Sequence, residues 1–194
     1  MRTFDKKSYD YDIARGIILS SPRFGKYKLK TADIPKRIKA DIWNYLENFE
    51  VNFKEGYGLY FVSKTPGSGK TTIMTAVLKH LMEKGFRAYF NTFIEIKNEL
   101  KKEFDIKEKR MLEMMKVVDI LAVDDIGSET MSNWLDEVFK EILDYRYNQL
   151  KPTFFTSNVL IEHLPFLNKS KDRLKEISIV MEFPEKSLRK KPLT

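Results

Sequence analysis

The chain has 194 residues, no cysteine and a formal net charge of +7. Without thiols it forms neither a disulfide nor a cysteine-based zinc site, so a reducing cytoplasm is the expected setting. No apolar run approaches the ~20 residues that span a bilayer, and no apolar segment follows Met1-Arg2-Thr3-Phe4-Asp5-Lys6-Lys7 as a secretory signal would require.

Residues 1–30 are polar and aromatic with weak periodicity and read as an arm. Asp33-Ile34-Pro35 predicts a helix entrance, with Asp33 as cap and Pro35 in the first turn. Ile38, Ile42, Leu46 and Phe49 then recur at helical spacing towards Phe53. Gly56 and Gly58 lead into a first strand, 57–63. A Gly-rich loop and a helix beginning near Ile73 follow, and Lys84-Gly85 ends that helix. A second strand is expected over 87–91, a charged helical region over 92–117, and a third strand, buried on both faces, over 119–124. Trp134, Leu135, Val138, Phe139, Ile142 and Leu143 predict an amphipathic helix over 131–149. Strands at 152–157 and 177–183 complete the series. Strands alternating with helices predict an α/β fold, a five-stranded mostly parallel sheet with helices on both faces. The expected divisions are a basic arm and helix (1–50), a core (51–183) and a basic tail (184–194).

The basic excess lies at the ends: residues 1–50 carry 11 Lys/Arg against 7 Asp/Glu, 165–194 carry 8 against 4, and 51–164 carry 16 against 17. Basic extensions suit a polyanion such as single-stranded DNA; solvated tails of a lysine-rich protein fit the same counts.

The most informative residues are Thr65-Pro66-Gly67-Ser68-Gly69-Lys70-Thr71-Thr72, set between a strand and a helix. This is the arrangement that cradles a nucleoside triphosphate. Glycines let backbone N–H groups approach the phosphates, and the helix N-terminus adds donors and a partial positive charge. Lys70 would reach the β- and γ-phosphates, and Thr71 would ligate Mg²⁺. One position departs from the pattern: Lys64 stands where the first glycine belongs, an expected source of strain at the loop's entry.

Two further groups join the cradle. The third strand ends in Asp124-Asp125, placing carboxylates where open α/β sheets do ligand chemistry. Asp124 would hold the Mg²⁺ through water, and Asp125 would orient or deprotonate the attacking water. The fourth strand ends in Thr156-Ser157-Asn158, with Asn158 the candidate to sense the γ-phosphate or the lytic water. His80 and His163 lack metal-ligand spacing, and Met111, Met114 and Met115 read as packing residues.

Residues 56–158 resemble the ATPase domain of the bacterial DnaC/DnaI helicase loaders, a branch of the AAA+ ATPases. The likeness rests on Gly58-Leu59-Tyr60-Phe61, on Val123-Asp124-Asp125-Ile126-Gly127-Ser128-Glu129, and on Tyr145-Arg146-Tyr147 leading to Pro152-Thr153-Phe154-Phe155-Thr156-Ser157-Asn158. It implies a sheet of the AAA+ type without a C-terminal helical lid, Mg²⁺ and ATP as cofactors, and weak hydrolysis, because most relatives place Glu where Asp125 stands. The implied partners are a replicative DNA helicase, single-stranded DNA and further copies of the chain. Arg173 matches the arginine-finger segment, reaching the ATP of a neighbouring copy; pairing with Asp172 or Glu176 is its structural alternative. Arg146 is a second finger candidate and Arg189 a further phosphate sensor. Lys97, Lys101 and Lys102, with Phe93 and Phe104 for stacking, lie where related proteins touch single-stranded DNA; a solvated amphipathic helix fits the same residues. An IstB-like transposition helper and a non-catalytic nucleotide-binding adaptor or helicase inhibitor are the rival functions.

Overall fold

The computed structural model describes residues 34–105, 110–128 and 132–188, with Leu29 and Ala32. In chain order these form α1 (Lys36–Glu47), α2 (Phe49–Lys54), β1 (Gly58–Val62), α3 (Lys70–Glu83), β2 (Ala88–Thr92), α4 (Phe93–Asp105), α5 (Arg110–Val117), β3 (Ile120–Ile126), α6 (Asn133–Asn148), β4 (Thr153–Ser157), α7 (Asn168–Ile177) and β5 (Ser178–Glu182). The five expected strands all form. The single helix expected from residue 33 to 53 is two helices, divided at Asn48. Pro35 precedes α1 as its cap residue, and no side chain caps it; Asp33 lies outside the described residues. The charged region 92–117 is also divided, into α4 and α5.

All strand pairs are parallel, in the order β2-β3-β4-β1-β5. Successive side chains of a strand point to opposite faces, and each face has its own apolar layer. Leu59 and Phe61 pack with α1 and α3, through residues such as Ile42, Leu46, Val77 and Leu81. Tyr60 and Val62 pack on the other side with α4, α5, α6 and α7. The residues of α1 share the first layer with β1 and α3, so packing is continuous across residue 50. Every residue of β1 and β4 is buried, as expected for strands covered on both faces. Gly58 permits their close approach: a Cβ there would lie 1.9 Å from the Thr153 carbonyl oxygen.

From β1 the chain leaves through α3 for one edge of the sheet, and from β4 it leaves through α7 for the other. The adjacent carboxyl ends of β1 and β4 therefore flank a crevice, the place where such sheets bind ligands.

The opposite ends of β3 and β4 are tied by Arg146 of α6. Its guanidinium is fully buried. It donates to the carbonyls of Met115, Val118 and Pro152 at 2.9, 2.9 and 2.6 Å and to Thr153 Oγ1 at 2.8 Å. Longer contacts reach the carbonyls of Lys116 and Asp119, at 3.2 and 3.3 Å. A guanidinium enclosed in this way cannot reach a neighbouring copy, so the expectation of Arg146 as a finger is corrected: it fastens α5 and β3 to β4.

Among the described residues, no helix follows β5, and none is long and apolar enough to cross a membrane. His80 meets Trp43 edge-on, Met115 is buried, and Met111 and Met114 pack against its cluster. Among the described residues no group of His, Asp or Glu has metal-site geometry by itself.

Candidate functional site

The loop between β1 and α3 takes its shape from glycine. Gly67 and Gly69 have φ of 81° and 99°, a region that side chains with a Cβ rarely adopt. Gly69 is also the N-cap of α3, so the unpaired N–H groups of the first helical turn start directly at the loop. Lys64 does not strain the entry. It is not among the described non-glycine residues with positive φ, and its side chain is 79 % exposed, 3.9 Å from Glu185. The strain expected from the missing glycine is thus absent, because this position needs no left-handed backbone.

Lys70 is buried at the start of α3. Its Nζ donates to the Ser63 carbonyl at 3.2 Å, to Ser68 Oγ at 3.4 Å and to Asn158 Oδ1 at 2.9 Å. Burial lowers its pKa, and the nearby charges of Asp125 and Asp124 oppose that shift. The Asn158 amide turns its other end to Asp125, Nδ2 to Oδ1 at 3.0 Å. Asn158 therefore bridges the cradle lysine and the second acid, three residues separated in sequence and gathered from α3, β3 and the end of β4.

Asp124 is buried and faces the helix instead. Its Oδ1 accepts from Thr71 Oγ1 at 2.8 Å and from Thr156 Oγ1 at 2.6 Å. Burial pushes its carboxyl above the usual carboxylate range; the two hydroxyl donors oppose this, and Asp125 adds to it. A buried carboxylate beside a threonine hydroxyl is a fitting donor set for a hard divalent cation, which would relieve the desolvated charge. The structure therefore brings together Gly67, Ser68, Gly69, Lys70, Thr71, Asp124, Asp125 and Asn158. Thr65 and Pro66 continue the loop, the Thr65 N–H donating to Ser63 Oγ at 3.2 Å, and Thr72 follows Thr71 in α3.

The segment after β5 also crosses this loop, a feature that no sequence spacing announces. Leu188 N donates to the Gly67 carbonyl at 2.9 Å, and Ser63 Oγ donates to the Pro184 carbonyl at 3.2 Å.

Arg173 lies apart from these residues. On α7 it pairs with Asp144 of α6, and its guanidinium stands 5.5 Å from the Tyr147 ring centroid. The expected pairings with Asp172 or Glu176 give way to Asp144, since α7 packs along α6; Glu176 instead accepts from Tyr147 at 2.7 Å. Phe93 is corrected outright. It is 1 % exposed and packs against Phe139 and Phe166, so it cannot stack on a base. Lys101 and Lys102 are exposed, the latter 2.7 Å from Glu99. Arg189 and the side chain of Phe104 lie outside the described residues.

A family model described as IstB-like ATP binding protein matches residues 59–191, most of the chain and all of the site above. The chain belongs to this ATP-binding family. It is 31% identical over 165 residues to the replicative helicase loader DnaI of Bacillus subtilis strain 168, covering 81% of this chain and 51% of that protein. A crystal structure of the DnaC helicase loader superposes with a TM-score of 0.75 at 29% identity, covering 84% of this chain and 100% of that one. A crystal structure of DnaI superposes with a TM-score of 0.73 at 25% identity, over 82% and 92%. The sheet is that of the AAA+ ATP-binding domains of these proteins. The chain spans about half the length of the curated loaders it matches.

Proposed function

We propose that the chain is the ATPase module of a helicase loader, which acts in the cytoplasm to place a replicative helicase on single-stranded DNA. The observation that carries this reading is the Lys70–Asn158–Asp125 bridge beside the Thr71–Asp124 pair. A phosphate binder, a water-orienting carboxylate and a cation-holding pair converge at one crevice. Similarity to DnaI and DnaC supplies the helicase and its loading.

Triphosphate entering the loop would take over the Lys70 ammonium, which Ser63 and Asn158 hold without it. Thr71 and Asp124 would hold Mg²⁺, which would supply neutralisation of phosphate charge. Asn158, released from Lys70, would orient a water with Asp125, and Asp125 would accept its proton. Arg173 remains the candidate to stabilise phosphoryl charge from a neighbouring copy, exchanging Asp144 and Tyr147 for that role. Assembly with further copies of the chain or with the helicase ring is part of this reading.

Calorimetry and turnover test it. Lys70→Ala is expected to abolish MgATP binding, whereas Asp125→Asn binds ATP and hydrolyses it about 100-fold more slowly, the range of a lost general base. Wild-type affinity in the first variant, or wild-type turnover in the second, removes that residue from its role. The family description favours one rival, an IstB-like transposition helper; preference for duplex over single-stranded DNA would select it. Helicase binding without any hydrolysis would select an adaptor.

A further inference from the structure

The two neighbouring acids meet different partners at one crevice, and β3 is irregular where they stand. Val123 pairs with Phe155 and Ile126 with Ser157, so two residues of β3, Asp124 and Asp125, stand against Thr156 alone. This is a bulge of two residues against one, which re-aims side chains and leaves a ladder group unpaired. Asp125 occupies it with φ of 58°, one of two described non-glycine residues in the left-handed region. In a regular strand Asp124 and Asp125 would project from opposite faces of the sheet. With the bulge, Asp124 turns to Thr71 and Asp125 to Asn158.

The group left over by the bulge is the Asp125 N–H, and one hydroxyl receives it. Asp125 N donates to Thr156 Oγ1 at 2.9 Å, and the same Oγ1 donates its proton to Asp124 Oδ1 at 2.6 Å. Thr156 is 1 % exposed, so water does not compete for either contact. The donor and acceptor of this hydroxyl are both committed. Its direction is also fixed, because a backbone N–H can only donate and an ionised carboxylate can only accept.

We propose that Thr156 is a positioning residue for the acidic pair. Its hydroxyl holds the β3 bulge in the conformation that aims Asp125 at the attacking water while it fixes Asp124 against Thr71. The inference rests on the ATPase reading above and adds a residue that need not touch nucleotide. Serine keeps the hydroxyl and loses only a methyl group; valine keeps the shape and loses both hydrogen bonds.

The test compares Thr156→Val and Thr156→Ser with wild type, with Thr156→Ala replacing valine where that variant does not fold. ATP affinity without Mg²⁺ is expected to stay within about threefold of wild type in the valine variant, since Lys70 and the loop are untouched. Its kcat should fall about tenfold or more, and the Mg²⁺ needed for half-maximal rate should rise several-fold, the usual scale for a lost supporting contact around a metal site. Serine should recover at least about half of the wild-type rate. Hydrogen exchange of the Asp125 amide should be about tenfold faster in valine than in serine. Unchanged kcat and Mg²⁺ requirement in valine, or a serine variant as slow as valine, overturns the proposal. Should the wild-type chain bind no MgATP, the ATPase reading fails on its own; equal exchange of the Asp125 amide in the valine and serine variants would then sink the positioning claim separately.

Discussion

Arg146→Lys is expected to destabilise the fold by about 3 kcal/mol while leaving nucleotide binding to the folded fraction intact. The wild-type guanidinium donates to six acceptors, five backbone carbonyls and one threonine hydroxyl, and all of these contacts but the one to Asp119 are buried. A lysine ammonium has three donors at a single point, so at least three of those acceptors lose their partner. Each buried acceptor left alone costs about 1 kcal/mol or more, which sets the sum of about 3. For a chain of this size that corresponds to a melting temperature lower by about 6–12 °C. Thermal and urea unfolding followed by circular dichroism give the number, with MgATP affinity below the transition as control. A melting temperature within about 2 °C of wild type would refute the reasoning, because it would mean that water already reaches these carbonyls.

Two further changes probe the cradle end. Asp124→Asn removes a carboxylate whose pKa burial raises. An acid raised in the fold contributes stability below its unfolded pKa and loses it as pH rises through the folded value, so wild type carries the cost of the buried charge at neutral pH. The variant keeps an oxygen for both threonine donors; it should melt higher than wild type at pH 7, by a margin that shrinks on acidification, while MgATP hydrolysis is lost. A margin independent of pH would contradict this assignment. Lys64→Gly should leave ATP affinity within about twofold, measured by calorimetry, since Lys64 is exposed and takes no left-handed backbone; a tenfold gain would show that Lys64 does obstruct the loop. An exposed pair such as Lys64–Glu185 contributes little either way.

The strands along the chain and the cradle were legible because their signals are local. Glycines at 67 and 69 mark the loop, and buried strands read as short apolar runs. Phe93 shows a signal that was present and outweighed: Phe93, Ile96 and Leu100 lie three and four residues apart, the spacing of a core face, and all three are buried. Thr156 and Arg146 are a different case. Their partners lie 31–32 residues away for Thr156, and up to 31 for Arg146, across strand pairs whose register no single-chain spacing reveals. The bulge at Asp124-Asp125 is hidden for the same reason, since it exists only relative to β4.

The two ends of the sheet divide the work. At the carboxyl ends sit the groups that a fold tolerates rather than prefers: a buried lysine, a buried carboxylate raised by desolvation, and an aspartate in left-handed backbone. At the amino ends Arg146 satisfies the last carbonyls of α5 and fixes the start of β4 against β3. The first set would suit a triphosphate with its cation, which on the proposed function would compensate the buried lysine and carboxylate. The second set needs no ligand and keeps the strands in register while the first is unrelieved. Nucleotide should therefore stabilise the chain most where the acids are intact: MgATP should raise the melting temperature of Arg146 variants and change that of Asp124 variants little.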